Sequence, residues 1–124
     1  MDIARITSGR NPPKDIHAVI EIGQAKRIVW RVRGQSITFD VGSKTLTSLN
    51  ASAPLEPIDG RITLRMLIDR TSIEVFANDG VVSLSGCYVP DERATAEPPT
   101  VLAEGGAARL ISCQGYTLKS AWIR

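Results

Sequence analysis

Between residues 62 and 89 the chain alternates apolar and polar side chains in three runs, ITLRMLI, SIEVFA and VVSLSGCYV, separated by DRT and NDG. A strand sends successive side chains to opposite faces, so a slip of one residue in pairing would turn the whole apolar set outward. With Arg70-Thr71 as the two residues of a hairpin loop, Asp69 faces Ser72, Ile68 faces Ile73, Leu67 faces Glu74, Met66 faces Val75, Arg65 faces Phe76 and Leu64 faces Ala77. One face is then Leu64, Met66, Ile68, Ile73, Val75 and Ala77, all apolar. Asp79-Gly80 supplies the next turn, a type I′ signal, and sets Ala77 against Val82, Val75 against Leu84 and Ile73 against Gly86. The segment is predicted to be a three-stranded meander with a single core face. Its first turn has no glycine or asparagine for the φ > 0 positions of a primed turn, so Asp69 is expected to open a type I turn or a slightly longer loop.

The same period runs through the rest of the chain. DIHAVIEI places Ile16, Ala18, Ile20 and Ile22 on one face and His17, Val19 and Glu21 on the other. RIVWRV places Ile28, Trp30 and Val32 inward and Arg27, Val29 and Arg31 outward, with Arg33 continuing the outer row; Gly34-Gln35 invites a turn into SITFDV. The stretches 9–15, 52–60 and 90–99 are rich in proline, glycine and charge, and two Pro-Pro pairs exclude helix locally. No segment holds a 3.6-residue period. About ten short strands with turn signals between them predict an all-β, antiparallel two-sheet β-sandwich. At 124 residues and 43% hydrophobic, the chain is expected to form one domain over 1–124 with its own core.

Several chemistries find little support. The net charge of +2 gives no strong pull toward nucleic acid or membrane. No apolar run reaches the length of a membrane helix, and the first residues lack the pattern of a signal peptide, which leaves the location open. With Cys87, Cys113 and His17 as the complete set of cysteines and histidines, a zinc site is not expected, and no cofactor is implied. The two thiols are free or joined in one disulfide. A Cys-His nucleophile would need His17 to meet one of them, and no Gly-x-Ser-x-Gly elbow exists. The basic residues Lys26, Arg27, Arg31 and Arg33 lack interleaved aromatics and read as a solvated strand face. Tyr88 and Tyr116 are available to a sugar but form no visible cluster, and Trp122 reads as core.

Asp69 and Glu74 lie five residues apart and could form a carboxylate pair. Retaining glycosidases hold two carboxyls about 5–5.5 Å apart and inverting ones about 6.5–9.5 Å, and diagonal sheet positions can meet either spacing. Such a pair also needs a concave site and an acid with a raised pKa. The ordinary reading is that Asp69 bonds turn amides while Glu74 pairs with Arg65 or a neighbouring domain. The face carrying Arg65, Leu67, Asp69, Glu74 and Phe76 is mixed, and Leu67 and Phe76 imply that something covers it.

The stretch LRMLIDRTSIEVFANDGVVSLSGCYVP, residues 64–90, closely resembles the signature of the C-terminal β-sandwich of glycoside hydrolase family 32, the invertases, levanases and inulinases. Asp69, Arg70, Thr71, Ser72, Glu74, Phe76, Asn78, Asp79, Gly80 and Pro90 carry it. GQSITFD, APLEPIDGRITLR and GGAARLISCQGYTLKSAW resemble the family's flanking segments, so the likeness covers essentially the whole chain. It implies a sandwich of the concanavalin A-like lectin/glucanase type. It also implies a parent enzyme whose chemistry, a retaining double displacement, sits in a five-bladed propeller. The propeller's Asn-Asp-Pro-Asn, Arg-Asp-Pro and Glu-Cys motifs do not occur here, so no catalytic residue is expected in this chain. The partners implied are that catalytic propeller, a second copy of the chain, and a fructan or sucrose-type sugar. Arg65, Leu67, Asp69, Glu74 and Phe76 are the candidate interface residues; burial of Leu67 and Phe76 within the domain would remove that expectation. The alternatives are a stand-alone fructan-binding module and an independent glycosidase using Asp69 and Glu74.

Overall fold

The computed structural model describes residues 3–5, 15–90, 99–114 and 121–123, with side chains for 15–90 and 99–113. Its strands, in chain order, are β1 (Ile3–Arg5), β2 (Asp15–Glu21), β3 (Arg27–Val32), β4 (Gln35–Asp40), β5 (Thr45–Ser48) and β6 (Ala51–Pro54). They continue with β7 (Arg61–Ile68), β8 (Ser72–Ala77), β9 (Val82–Cys87), β10 (Thr100–Glu104), β11 (Ala108–Gln114) and β12 (Ala121–Ile123). These twelve among the described residues exceed the ten or so expected, because the shortest strands carry too few residues to show a period.

The strands form two six-stranded antiparallel sheets, ordered β1-β10-β3-β4-β5-β6 and β12-β11-β2-β7-β8-β9. Their inner faces make one core. The second sheet contributes Ile16, Ala18 and Ile20 from β2, Ile62, Leu64, Met66 and Ile68 from β7, and Ile73, Val75 and Ala77 from β8. Facing them are Ile28, Trp30 and Val32 of β3, Ile37 and Phe39 of β4, Leu46 of β5, and Val101 and Ala103 of β10. Removing each large side chain from water contributes about 1.5–3 kcal/mol, which is why the alternation dictates which face turns inward. The fold is an all-β, antiparallel two-sheet sandwich.

The meander has the expected register throughout, from Leu64↔Ala77 to Ile68↔Ile73 and from Ala77↔Val82 to Ile73↔Gly86. Its turns differ in detail. The first is closed by Asp69 N donating to Ser72 O at 2.8 Å, with Arg70 N donating to Asp69 Oδ1 at 2.7 Å. The carboxylate thus holds a turn amide, and left-handed backbone is not used at Arg70 or Thr71. Tyr88 reinforces this turn, its N–H donating to Thr71 O at 2.8 Å and its hydroxyl to Asp69 O at 2.9 Å. In the second turn three consecutive residues are left-handed, Asn78 (φ 49), Asp79 (φ 59) and Gly80 (φ 87), rather than the two of a simple type I′ turn.

One local reading is corrected, and one irregularity is added. The β3–β4 turn is Arg33-Gly34, with φ of 51 and 78, and Gln35 already pairs with Val32. Arg33 therefore turns the corner and leaves the outer row of β3. In β11 the register shifts between Leu110 and Ser112, so the buried set passes from Ala108 and Leu110 to Cys113. One extra residue in a strand reverses the alternation beyond it.

Candidate functional site

The outer face of the second sheet is shaped by β2, β7 and β8. Asp15 pairs with Leu67 and His17 with Arg65 across β2–β7; Arg65 pairs with Phe76 and Leu67 with Glu74 across β7–β8. Side chains on one face of paired strands stand close enough to interact, directly or on the diagonal. Asp15, His17, Thr63, Arg65, Leu67 and Phe76 line an open hollow of about 840 Å³, with Asp79 and Gly80 of the β8–β9 turn at its end.

Arg65 is fixed by a fork. Its Nε donates to Asp15 Oδ1 at 3.2 Å and its Nη2 to Asp15 Oδ2 at 2.9 Å. This bidentate geometry matches the planar guanidinium to the carboxylate and sets its orientation. The hydrogen bond from Arg65 holds the Asp15 carboxyl below its ordinary range against the opposing effect of burial, with the charges of Arg65 and His17 adding to the lowering. Asp15 in turn raises the Arg65 pKa above its ordinary value. Arg65 thus pairs with Asp15, not with Glu74 as one sequence reading had it. Both acids sit diagonally from Arg65, and the fork engages Asp15.

Leu67 and Phe76 are half-buried and line the hollow, while Arg65 and Glu74 are exposed. Neither Leu67 nor Phe76 is enclosed by the domain's own core. Asp69 is exposed in the β7–β8 turn, and neither it nor Glu74 lines the hollow. The structure does not gather those two carboxylates into a concave site.

The thiols are apart as well. Cys87 lies exposed on β9 and Cys113 buried on β11, with β2, β7 and β8 between those strands. At about 4.8 Å per strand they stand far beyond disulfide reach. His17 points to the outer face whereas Cys113 points into the core, so no Cys-His pair forms between them. Burial pushes the Cys113 thiol up to about 11. Tyr88 has its hydroxyl on Asp69 O, as noted; Tyr116 and the side chain of Trp122 lie outside the described residues.

Asp15 and Thr63 join the face without having been singled out in the sequence, while His17 was weighed only as the partner of a thiol, and Asp79 and Gly80 only as a turn and part of the signature. The Asp15–Arg65 fork spans fifty positions and depends on β2 lying beside β7, which no local pattern specifies. Asn78 was selected only as part of the family signature, yet it is 6% exposed, with Nδ2 donating to Glu56 O at 2.9 Å and Oδ1 accepting from Thr63 N at 3.0 Å. Its side chain pins the approach to β7 and the β8–β9 turn together beside the hollow. An open hollow with one aromatic ring, one fixed guanidinium and scattered hydroxyl and carboxylate groups suits a hydroxylated ligand or a complementary protein surface.

Comparison with known proteins agrees with these features. The family of glycosyl hydrolases family 32 C terminal matches residues 17–117. A levanase of Bacillus sp. (strain L7) is 32% identical over 106 residues, covering 81% of this chain and 11% of that protein. A levanase of Bacillus subtilis (strain 168) is 32% identical over 98 residues, covering 79% and 14%. The chain thus spans only a small part of the length of these relatives. Among solved structures, a fructofuranosidase of Schwanniomyces occidentalis complexed with fructosylnystose superposes with a TM-score of 0.62 at 15% identity, covering 91% of this chain and 31% of that one. That likeness concerns the fold. With the signature of β7 to β9, the two-sheet architecture and the family match over most of its length, the chain belongs to the C-terminal domain family of the family 32 glycosyl hydrolases.

Proposed function

We propose that this chain is a non-catalytic β-sandwich module of a β-fructosidase, supporting a catalytic propeller that hydrolyses sucrose or fructan. The observation that carries this reading is the family match over residues 17–117, together with levanases that align to the chain over only a fraction of their own length. The whole chain, 1–124, acts as one domain in this reading. The surface offered to the propeller is the face of Arg65, Leu67, Asp69, Glu74 and Phe76, where half-buried apolar side chains stand among fixed charges. Such a mixture of apolar centre and polar rim fits an interdomain contact.

The test is turnover by the purified chain. Incubation with sucrose, inulin and levan is expected to release no fructose. Release that disappears in Glu74→Gln would replace the proposal with the independent glycosidase. The hollow favours one second reading, a fructan-binding surface, because the exposed part of Phe76 lies beside the Asp15–Arg65 fork. Titration calorimetry with inulin and levan separates the two: heat at millimolar sugar that is lost in Phe76→Ala supports binding.

A further inference from the structure

A sheet has two edges, and an edge strand left with unpaired N–H and C=O groups pairs with other chains unless it is short, charged, interrupted by proline or covered. Three of the four edges here are short. β1 and β12 have three residues each, and β6 has four and ends at Pro54. β9 has six residues, and the whole run 81–89, VVSLSGCYV, contains neither charge nor proline. It is the outer strand of its sheet, beyond β8.

The orientation of its backbone follows from one hydrogen bond. Tyr88 N donates to Thr71 O at 2.8 Å, so position 88 directs its backbone groups toward β8. Antiparallel ladders alternate, so Gly86, Leu84 and Val82 do likewise, while Cys87, Ser85 and Ser83 direct their N–H and C=O away from the sheet. The side chains of Ser83, Ser85 and Cys87 are all exposed.

We propose that β9 pairs antiparallel with β9 of a second copy of this chain, on a two-fold axis at Ser85. An isologous contact must be self-complementary. Centred on Ser85, it sets Ser85 against itself and Ser83 against Cys87, which satisfies every outward backbone group of the strand. Centring on Leu84 or Gly86 would also pair outward groups with outward groups, so the backbone fixes only the parity of the register. A second observation selects Ser85 among these axes. Val81 and Val89 are 77% and 87% exposed, the two most exposed large hydrophobic side chains among the described residues. They stand four positions before and four after Ser85. The axis therefore brings Val81 of each copy against Val89 of the other, once at each end of the new ladder, and no like charges meet. The two sheets become one continuous sheet across the dimer. This specifies the second-copy partner of the proposed module. It fails separately from the docking of the propeller, which uses a different face.

Sedimentation equilibrium of the 124-residue chain is expected to show reversible association to twice 13.4 kDa. Ser85→Pro removes an outward N–H and spares the β8–β9 ladder, and it is expected to leave a monomer. Val89→Asp should weaken association roughly tenfold or more, and it keeps the test open if the proline variant does not fold. Ser85→Cys in a Cys87→Ser background places like thiols on a hydrogen-bonded pair, about 5.5 Å between Cα atoms and within disulfide range. Mild oxidation should convert it to a covalent dimer, whereas Ser52→Cys in the same background, on the exposed side of β6, should stay uncrosslinked. A wild-type chain that remains monomeric up to about 1 mM, or a dimer that survives Ser85→Pro and Val89→Asp, overturns the proposal.

Discussion

Asn78 and Thr63 hold each other twice: Asn78 N donates to Thr63 O at 2.8 Å, and Thr63 N donates to Asn78 Oδ1 at 3.0 Å. The side chain thus stands in for a backbone carbonyl and extends the β7–β8 ladder one step beyond the last paired residues, Leu64 and Ala77. The same side chain reaches Glu56 O, and the residue is left-handed at φ 49. Asn78→Ala removes both side-chain bonds and puts a Cβ-bearing residue without compensation into that conformation. The expected loss is about 2–4 kcal/mol by urea unfolding. Asn78→Gly relieves the backbone and should recover about 1 kcal/mol of it. Equal stability of Asn78→Ala and wild type would contradict this role.

The Asp15–Arg65 fork makes a small contribution that depends on pH. The Asp15 pKa is depressed in the folded state, so its stabilisation is present above the unfolded value near 3.8 and is lost as pH falls through the lower folded pKa. Thermal melts of wild type and Asp15→Asn should therefore differ at neutral pH and converge as pH falls below 3.8. Both side chains are about half exposed, at 55% and 52%, so raising salt should shrink the difference at neutral pH. A gap that widens on acidification would reverse the assigned sign.

The two thiols should separate cleanly by reactivity. Cys87 is exposed, while Cys113 is buried with its thiol raised to about 11. The thiolate is the reacting species, so an aromatic disulfide reagent should label Cys87 promptly in the native protein and Cys113 only in denaturant. Fast labelling of Cys113 under native conditions would place β11 differently from the structure.

Gly86 is a point of contact between the sheets. A Cβ built there would lie 2.6 Å from Leu49 Cδ1 and 3.0 Å from Leu49 Cβ. Gly86→Ala is expected to cost about 1–3 kcal/mol through overpacking, partly offset by the lower entropy of the unfolded alanine chain. Leu49→Ala should be less harmful in the Gly86→Ala background than alone, and a double-mutant cycle on unfolding free energies measures that coupling. Strict additivity would show that the two residues do not meet.

The meander was legible because everything that fixes it is local. Ile68, Ile73 and Val75 must share a face, and the short turns at 69–71 and 78–80 leave one register that does so. Burial of alternate residues in β2 and β3 was legible for the same reason. Turn detail was less so: Arg33-Gly34, not Gly34-Gln35, takes the left-handed corner, because a right-handed strand twist selects two φ > 0 residues and Arg33 is carried along with its glycine. The bulge that turns Cys113 inward had no signal, since an extra residue in a strand interrupts the very period by which strands are recognised.

The sequence by itself determined the all-β class, the register of β7, β8 and β9, and the family signature that spans them, since these follow from period-two burial and chain-neighbour turns. Only the tertiary structure decided that β2 lies beside β7, that Asp15 rather than Glu74 takes the Arg65 guanidinium, and that Asn78 is buried rather than at a solvated turn tip. It also decided which strands end the sheets, leaving β9 as the outer strand among the described residues. Each of these depends on pairing between segments distant in sequence. That choice is made by the total apolar area two sheets can bury together, a property no single segment carries.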